Sequence, residues 1–360
     1  METSIRILHG TATQLDQLAD ETVDLIVTSP PYPMIEMWDE IFAGQDKRIA
    51  TCLSAARGGD AFALMHALLD QAWAEAHRVL KPGGIACINI GDATRTLDGD
   101  FQLYANHALI LSGFLALGCA ALPDILWRKP TNAPNKFMGS GMLPVGAYVT
   151  YEHEYILVLR KGRRREFKSD RERKRRRQSA FFWEERNVWF SDIWSDIRGI
   201  GQESTDATAR QRSAAFPFEL AHRLISMFSV AGDVVLDPFA GTGTTLAAAL
   251  ACGRNGVGVE FDETFLPLMS SSLLALPTFA NAFNRERLSR HVRFAAKREE
   301  ETGPLKYTNG YYGFPVVTSQ EQELLIPDIA AISEGEKYEF TVSYRDEPQA
   351  DFVREQRKAS

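Results

Sequence analysis

The chain has 360 residues, 45% apolar and 24% charged, enough to bury a full core as one large domain with additions or as two modest ones, in the composition of a soluble globular protein. Its four cysteines, Cys52, Cys87, Cys119 and Cys252, are scattered without a C-x-x-C, which speaks against a zinc site or a disulfide framework. Met1–Gly10 lacks the basic start and apolar centre of a signal peptide, and the longest apolar stretch, Ala108–Leu122, is interrupted and shorter than the roughly 18 residues of a membrane span, so a cytoplasmic protein is expected.

Ile5–Leu8 reads as a strand ending at Gly10, and Thr13–Ala19 as a short helix. Val23–Val27 is short and rich in β-branched residues, as buried parallel strands are. It runs into Thr28-Ser29-Pro30-Pro31-Tyr32, where two prolines stop the ladder because Pro fixes φ and donates no N–H. The Ser29 hydroxyl, the Pro30 carbonyl and the Tyr32 ring then stand at the carboxyl edge of a sheet, where open α/β sheets place ligands. Acceptors beside an aromatic plate suit a flat base carrying an amino group. Met34–Asp46 is expected to be a loop long enough to cover that site. Phe62–Leu80 is a helix, with Met65, Leu68, Leu69, Ala72, Trp73, Ala76, Val79 and Leu80 on one buried face. Lys81–Gly84 ends it, Ile85–Ile90 is a strand, Tyr104–Leu117 a helix, and Asp124–Trp127 and Glu154–Leu159 further strands. This alternation predicts a parallel sheet covered on both faces.

The rhythm stops at about Lys161. Arg160–Arg177 holds twelve Lys/Arg against Glu166, Asp170 and Glu172, a local +9 that leaves −16 on the remainder. Such asymmetry fits an acidic body with one basic arm, for phosphates or as a solvated loop. Residues 161–211 show no sustained period, and Trp183, Trp189 and Trp194 within them are expected to form a small local core. The alternation then resumes with the helix Phe216–Phe228, the strand Asp233–Leu236, the helix Thr244–Cys252, the strand Gly256–Glu260 and the helix Glu263–Leu276. Beyond Pro277 a basic stretch, 285–298, gives way to a strand-like tail in which Gly335–Tyr344 alternates as a hairpin arm does, and Arg354–Ser360 reads as frayed.

Asp237-Pro238-Phe239-Ala240-Gly241-Thr242-Gly243-Thr244 is a strand end, a glycine turn and a helix start. Its glycines admit close backbone approach, and Glu260, at the end of the next strand, is placed for a ribose. An adenosine-containing ligand follows. No G-x-x-x-x-G-K-[ST] is present, and Leu246 stands where a dinucleotide motif needs its third glycine. S-adenosylmethionine remains. A turn whose glycines only pack the helix is the competing reading; Asp237 and Glu260 weigh against it.

Ser-Pro-Pro-Tyr, then a charged variable segment, then Asp-Pro-Phe-Ala-Gly-Thr-Gly-Thr resembles the β-class of amino-group DNA methyltransferases over roughly residues 5–275. Quieter matches are Ala76–Gly84, Leu126–Lys129, Glu152–Val158 and Ala215–Leu220. The resemblance implies a Rossmann-like S-adenosylmethionine methyltransferase fold, circularly permuted, so that the catalytic half (1–160) precedes the cofactor half (212–276). A target-recognition region (161–211) lies between them and a C-terminal extension of unassigned role (277–360) follows. It implies Asp237, Phe239, Gly241, Gly243 and Thr244 for the methionine part of the cofactor, Glu260 for its ribose, and Phe216 and Pro217 as the closing wall. Ser29, Pro30, Pro31 and Tyr32 become the catalytic turn. The family often has Gly-Asp where this chain has Gly10-Thr11, so the resemblance does not carry over adenine contacts from that strand. Ser in the first motif position goes mostly with cytosine N4 and Asp with adenine N6, so N4-methylcytosine in double-stranded DNA is the expected product and N6-methyladenine the alternative. A non-catalytic DNA-binding protein of the same fold, and a methyltransferase for RNA or protein, are alternatives of other kinds. No metal is implied, and His153 reads as structural. A companion restriction endonuclease, and the choice between monomer and homodimer, stay open, as does a second DNA contact or an exposed helix face for 285–298.

Overall fold

The computed structural model describes residues 1–129, 138–198, 216–349 and 352. Eleven strands form its main sheet: β1 (Glu2–His9), β2 (Val23–Thr28), β3 (Leu80–Ile90), β4 (Cys119–Ala121), β5 (Ile125–Arg128), β6 (His153–Lys161), β7 (Ile193–Trp194), β8 (Val234–Asp237), β9 (Asn255–Glu260), β10 (Ile329–Glu334) and β11 (Glu339–Tyr344). Their order is β7-β5-β6-β3-β2-β8-β9-β1-β11-β10, with β4 also pairing β6. The five central strands, β3, β2, β8, β9 and β1, are mutually parallel. Every residue of β2 is buried, as a strand covered on both faces requires.

One face is covered by α3 (Gly58–Val79) and α4 (Asn106–Ala116), whose Met65, Leu69, Trp73 and Phe114 pack over Ile26 and Ile88. The other carries α7 (Phe218–Phe228) and α8 (Thr244–Ala251), with Leu220 and Leu224 against Leu25 and Val235. Next come α9 (Phe265–Leu274) and α10 (Leu276–Thr302), and the β10–β11 hairpin extends the sheet beyond β1. The alternation in Gly335–Tyr344 thus does mark a hairpin arm. No single described helix is long and apolar enough to cross a membrane.

Several local expectations are corrected. Thr13–Ala19 is a run of turns: α3 side chains satisfy its backbone, Glu75 accepting from Leu15 N and Arg78 donating to the carbonyls of Leu15 and Leu18. Met34–Asp46 is mostly helical, with a 3-10 turn at Glu36–Trp38 and α1 at Asp39–Gln45, followed by α2 (Lys47–Ser54). Two acids open α1, and Asp39 there is clamped by both terminal nitrogens of Arg95 at 2.9 and 2.7 Å. The stretch 285–298 lies in α10, where Arg287 is buried against Glu185 at 2.8 Å. The three tryptophans do not share one core. Trp194 is fully buried in the body beside Trp127 and Leu220; Trp189 lies under Arg287, and Trp183 stacks on Phe294.

The basic run sits at the amino-terminal edge of the parallel strands. Strand β6 is antiparallel to β3, so it carries the chain from His153 at the carboxyl edge to Lys161 at the opposite one. There Arg165 bonds Asp233, just before β8, at 2.6 Å and approaches Asp24 at the start of β2. Helix α5 (Asp170–Gln178) follows, opened by a Ser169/Glu172 capping box and anchored by Arg175 to Asp233. Strand β7 runs parallel to β5 and so returns the chain towards the carboxyl edge. The segment 161–198 therefore visits both ends of the sheet.

Candidate active site at the carboxyl edge

Strands β2 and β8 are neighbours, and their ends are joined through Asp237. Its carboxylate accepts from Thr28 Oγ1 at 2.6 Å, Thr245 Oγ1 at 2.7 Å and Phe239 N at 3.1 Å. Burial outweighs these bonds and raises the carboxyl to about 6. One strand over, Glu260 accepts from Gly241 N at 2.7 Å and Asp262 N at 2.9 Å, and burial raises it too. Gly241 has φ +51, with nothing closer than 4.0 Å to where a Cβ would stand, so its backbone opens onto space.

In the Ser29–Tyr32 turn, Ser29 Oγ donates to Tyr32 Oη at 3.1 Å and Tyr32 donates to Glu154 at 3.0 Å. Asn89 donates to both, at 2.9 and 2.7 Å, and Lys129 holds the other Glu154 oxygen at 2.5 Å. Burial and the adjacent Glu154 carboxylate push the Tyr32 phenol well above its ordinary range, so it stays a neutral donor. A Cβ on Gly91 would lie 3.0 Å from Tyr32 Cε2, so only glycine there lets the ring lie flush with the end of β3. From behind, Asn106 donates to the carbonyls of Pro33 and Gly91 at 3.1 and 3.0 Å and accepts from His66.

Both strand ends open into one cavity of about 520 Å³. Ser29, Pro30 and Pro31 line it together with Asp237, Phe239, Gly241, Thr244, Glu260 and Phe216. Tyr32, Gly243 and Pro217 are not on its wall. Tyr32 stands behind Ser29 in the network above. Gly243 caps α8 with φ +81, where a Cβ would press on Met269 Cγ at 3.0 Å, and Pro217 precedes α7 as its N-cap. The wall also includes groups that the sequence did not single out: Trp38 and Ile41 from the first helical turns, Leu69 and Ala72 from α3, and Phe261, two-thirds exposed, just past Glu260. Thr11 and Ala12 line it as well, so the β1 end does reach the cavity without an acid. Asn89 and Glu154 were missed because Tyr32, which they hold, lies 57 and 122 positions from them.

Two strand ends, one with a Ser-Pro-Pro-Tyr turn and one with a glycine turn and a following acid, facing a shared cavity define an amino-group methyltransferase site. The chain belongs to the N6/N4 DNA methylase family: that family's model, described as DNA methylase, matches residues 23–271. It is an S-adenosylmethionine-dependent DNA methyltransferase. It is 47% identical over 325 residues to the Type II methyltransferase M.MthZI of Methanothermobacter thermautotrophicus, covering 90% of each chain. To the Type II methyltransferase M.MjaI of Methanocaldococcus jannaschii it is 46% identical over 282 residues, 75% of this chain and 91% of that one. Among solved structures it resembles the DNA modification methylase TTHA0409 of Thermus thermophilus complexed with S-adenosyl-L-methionine, with 32% identity, TM-score 0.58, and 75% of this chain and 93% of that chain covered.

Proposed function

We propose that the chain is a sequence-specific Type II modification enzyme that methylates the exocyclic N4 of cytosine in a short duplex site. The observation that carries amine methylation is the direction of the Ser29 bond: with its proton given to Tyr32, Ser29 Oγ keeps lone pairs for an amine in the cavity; the choice of cytosine rests on Ser rather than Asp in the first position of the motif. An aromatic amine is a poor nucleophile because its lone pair is delocalised into the ring. Accepting its two N–H bonds at Ser29 Oγ and the Pro30 carbonyl draws the nitrogen towards a tetrahedral geometry and frees that pair. Preorganised acceptors of this kind supply the acceleration without a covalent intermediate. The base leaves the duplex at a cost of a few kcal/mol, and Tyr32, which stands off the cavity wall, acts on it through its bond to Ser29.

S-adenosylmethionine supplies a methyl group on a sulfonium. The residues fit it: Asp237 is a buried acid for its ammonium, Gly241 an open backbone approach, and Glu260 an acid for its ribose. Phe239 and Thr244 flank the methionine part, Gly243 shapes the turn, Phe216 and Pro217 close over it, and exposed Phe261 offers a face to the adenine. The catalytic half is assigned to 1–160 and the cofactor half to 212–276, in the permuted order of the β-class. Target recognition is assigned to 161–211, of which β7 runs towards the carboxyl edge. The extension 277–360 completes the sheet beside β1.

Incubating the protein with unmethylated plasmid DNA and the methyl donor, then resolving the nucleosides by mass spectrometry, tests this. N4-methylcytosine is expected; N6-methyladenine would move the assignment to the other base the same acceptors can serve. Sequencing the methylated plasmid then maps the site.

A further inference from the structure

Between β5 and β6, the described residues 138–152 lie past the carboxyl edge. Beyond the Arg128–His153 pair the ladder continues with Lys129 N donating to Glu152 O at 2.7 Å. Its far end is itself a small two-stranded arm, Met138–Gly139 against Ala147–Tyr148. Polar and aromatic contacts fix the stem beside the catalytic turn. Tyr151 Oη donates at 3.0 Å to Asp92, which follows Gly91 under the Tyr32 ring, and the Tyr148 ring stacks on Phe101 at 4.5 Å.

The tip is the reverse of its stem. In its turn Met142 is 86% exposed, Leu143 70% and Val145 97%, and Val149, next to Tyr148 at the foot of the arm, is 87% exposed, the four most exposed large hydrophobics among the described residues. Folding gains nothing from aliphatic side chains held in water, and such a concentration marks a contact surface. Exposed cations stand at its base, with Arg128 carrying only a loose 3.3 Å contact to Glu152.

We infer that this apolar tip is a wedge that enters the base stack of duplex DNA at the step from which the target base is withdrawn. The inference rests on the proposed extrusion of that base. Extrusion leaves a gap in the stack beside the catalytic turn, and aliphatic side chains inserted between base steps are the common means of holding such a gap open. Duplex DNA is favoured over a second protein copy because the tip shares its edge with the cavity mouth, where a docked copy would obstruct the substrate.

The test is the quadruple variant M142S/L143S/V145S/V149S. All four positions are exposed, so the fold survives, which thermal melting and S-adenosylmethionine affinity verify. Its turnover is compared with wild type on a duplex carrying the mapped site, and on the same duplex with an abasic position opposite the target base. The variant is expected to lose about tenfold or more on the paired duplex and to return to within about threefold of wild type on the abasic one, because the second substrate is already unstacked. Equal losses on both duplexes, or no loss on either, would overturn the wedge. So would gel filtration in which wild type is a dimer and the variant a monomer. Absence of methyl transfer by the wild type on any DNA would instead defeat the proposed function, a separable outcome.

Discussion

Thr28 Oγ1 donates to Asp237 Oδ1 at 2.6 Å, so two strands whose ends lie 209 positions apart in the chain are fastened by one buried hydrogen bond. Through it the group proposed to hold the cofactor and the turn proposed to hold the base share a single frame. Thr28→Val removes the donor and keeps the shape. Leaving a buried carboxylate short of a partner costs about 1–3 kcal/mol. Denaturant unfolding should register that loss, calorimetry a weaker S-adenosylmethionine affinity, and Thr28→Ser should restore most of both.

Asp237, proposed to hold the ammonium of the cofactor, is expected to set an acid limit on its binding. Its folded carboxyl is raised by burial to about 6, so the ammonium of the methionine part meets a neutral acid as pH falls through that value. Affinity should therefore decline below about pH 6. The stability effect has the opposite sign: a carboxyl raised in the folded state favours folding at low pH, and that contribution is lost as pH rises through about 6. Titrations of binding from pH 5 to 8 check the first effect, and Asp237→Asn should flatten the profile while weakening binding throughout.

Tyr32 is set by its hydroxyl as well as its ring. Tyr32→Ala should abolish turnover and spare cofactor affinity; equal loss of both would mean that the ring is structural. Tyr32→Phe and Glu154→Gln loosen the Ser29 rotamer without removing the aromatic plate, and each should lower kcat by about tenfold, the size of one lost charge-assisted bond, with KM for DNA little changed. An unaltered kcat in both would remove the network from the chemistry.

The turn is also braced from behind by Asn106 and His66. Burial lowers the imidazole to about 4, so the unfolded chain takes up its proton first as pH falls. That contribution should lower stability between about pH 6.5 and 4, opposite in sign to the Asp237 contribution over nearly the same range, so melting temperatures of wild type and His66→Gln are compared across that window to separate the two. Asn106→Ala strands the Pro33 and Gly91 carbonyls and should cost about 2–4 kcal/mol at neutral pH.

What was legible in the chain follows the range of the interactions involved. Val23–Val27 and Val234–Leu236 could be read because burial on both faces leaves a continuous apolar run, and the two motifs because proline and glycine announce their backbone chemistry locally. Thr13–Ala19 misled because Glu75 and Arg78, about sixty positions on, satisfy a backbone that would otherwise have coiled. Glu154, Asn89 and Asn106 act on the catalytic turn only across the sheet, so no local pattern marks them. The basic run was visible as charge, but its place was not: the antiparallel sense of β6 decides which edge it reaches, and pairing sense leaves no trace in composition.

That placement has a practical side. Arg163, Arg164, Arg171 and Lys174 are exposed at the rear edge, beyond roughly 26 Å of strand at about 3.3 Å per residue. A cation-exchange bead or a heparin column should grip the molecule by its back and leave the mouth of the cavity turned outward. Enzyme immobilised this way, or through a label coupled at Lys174, ought to keep working on DNA passed over it.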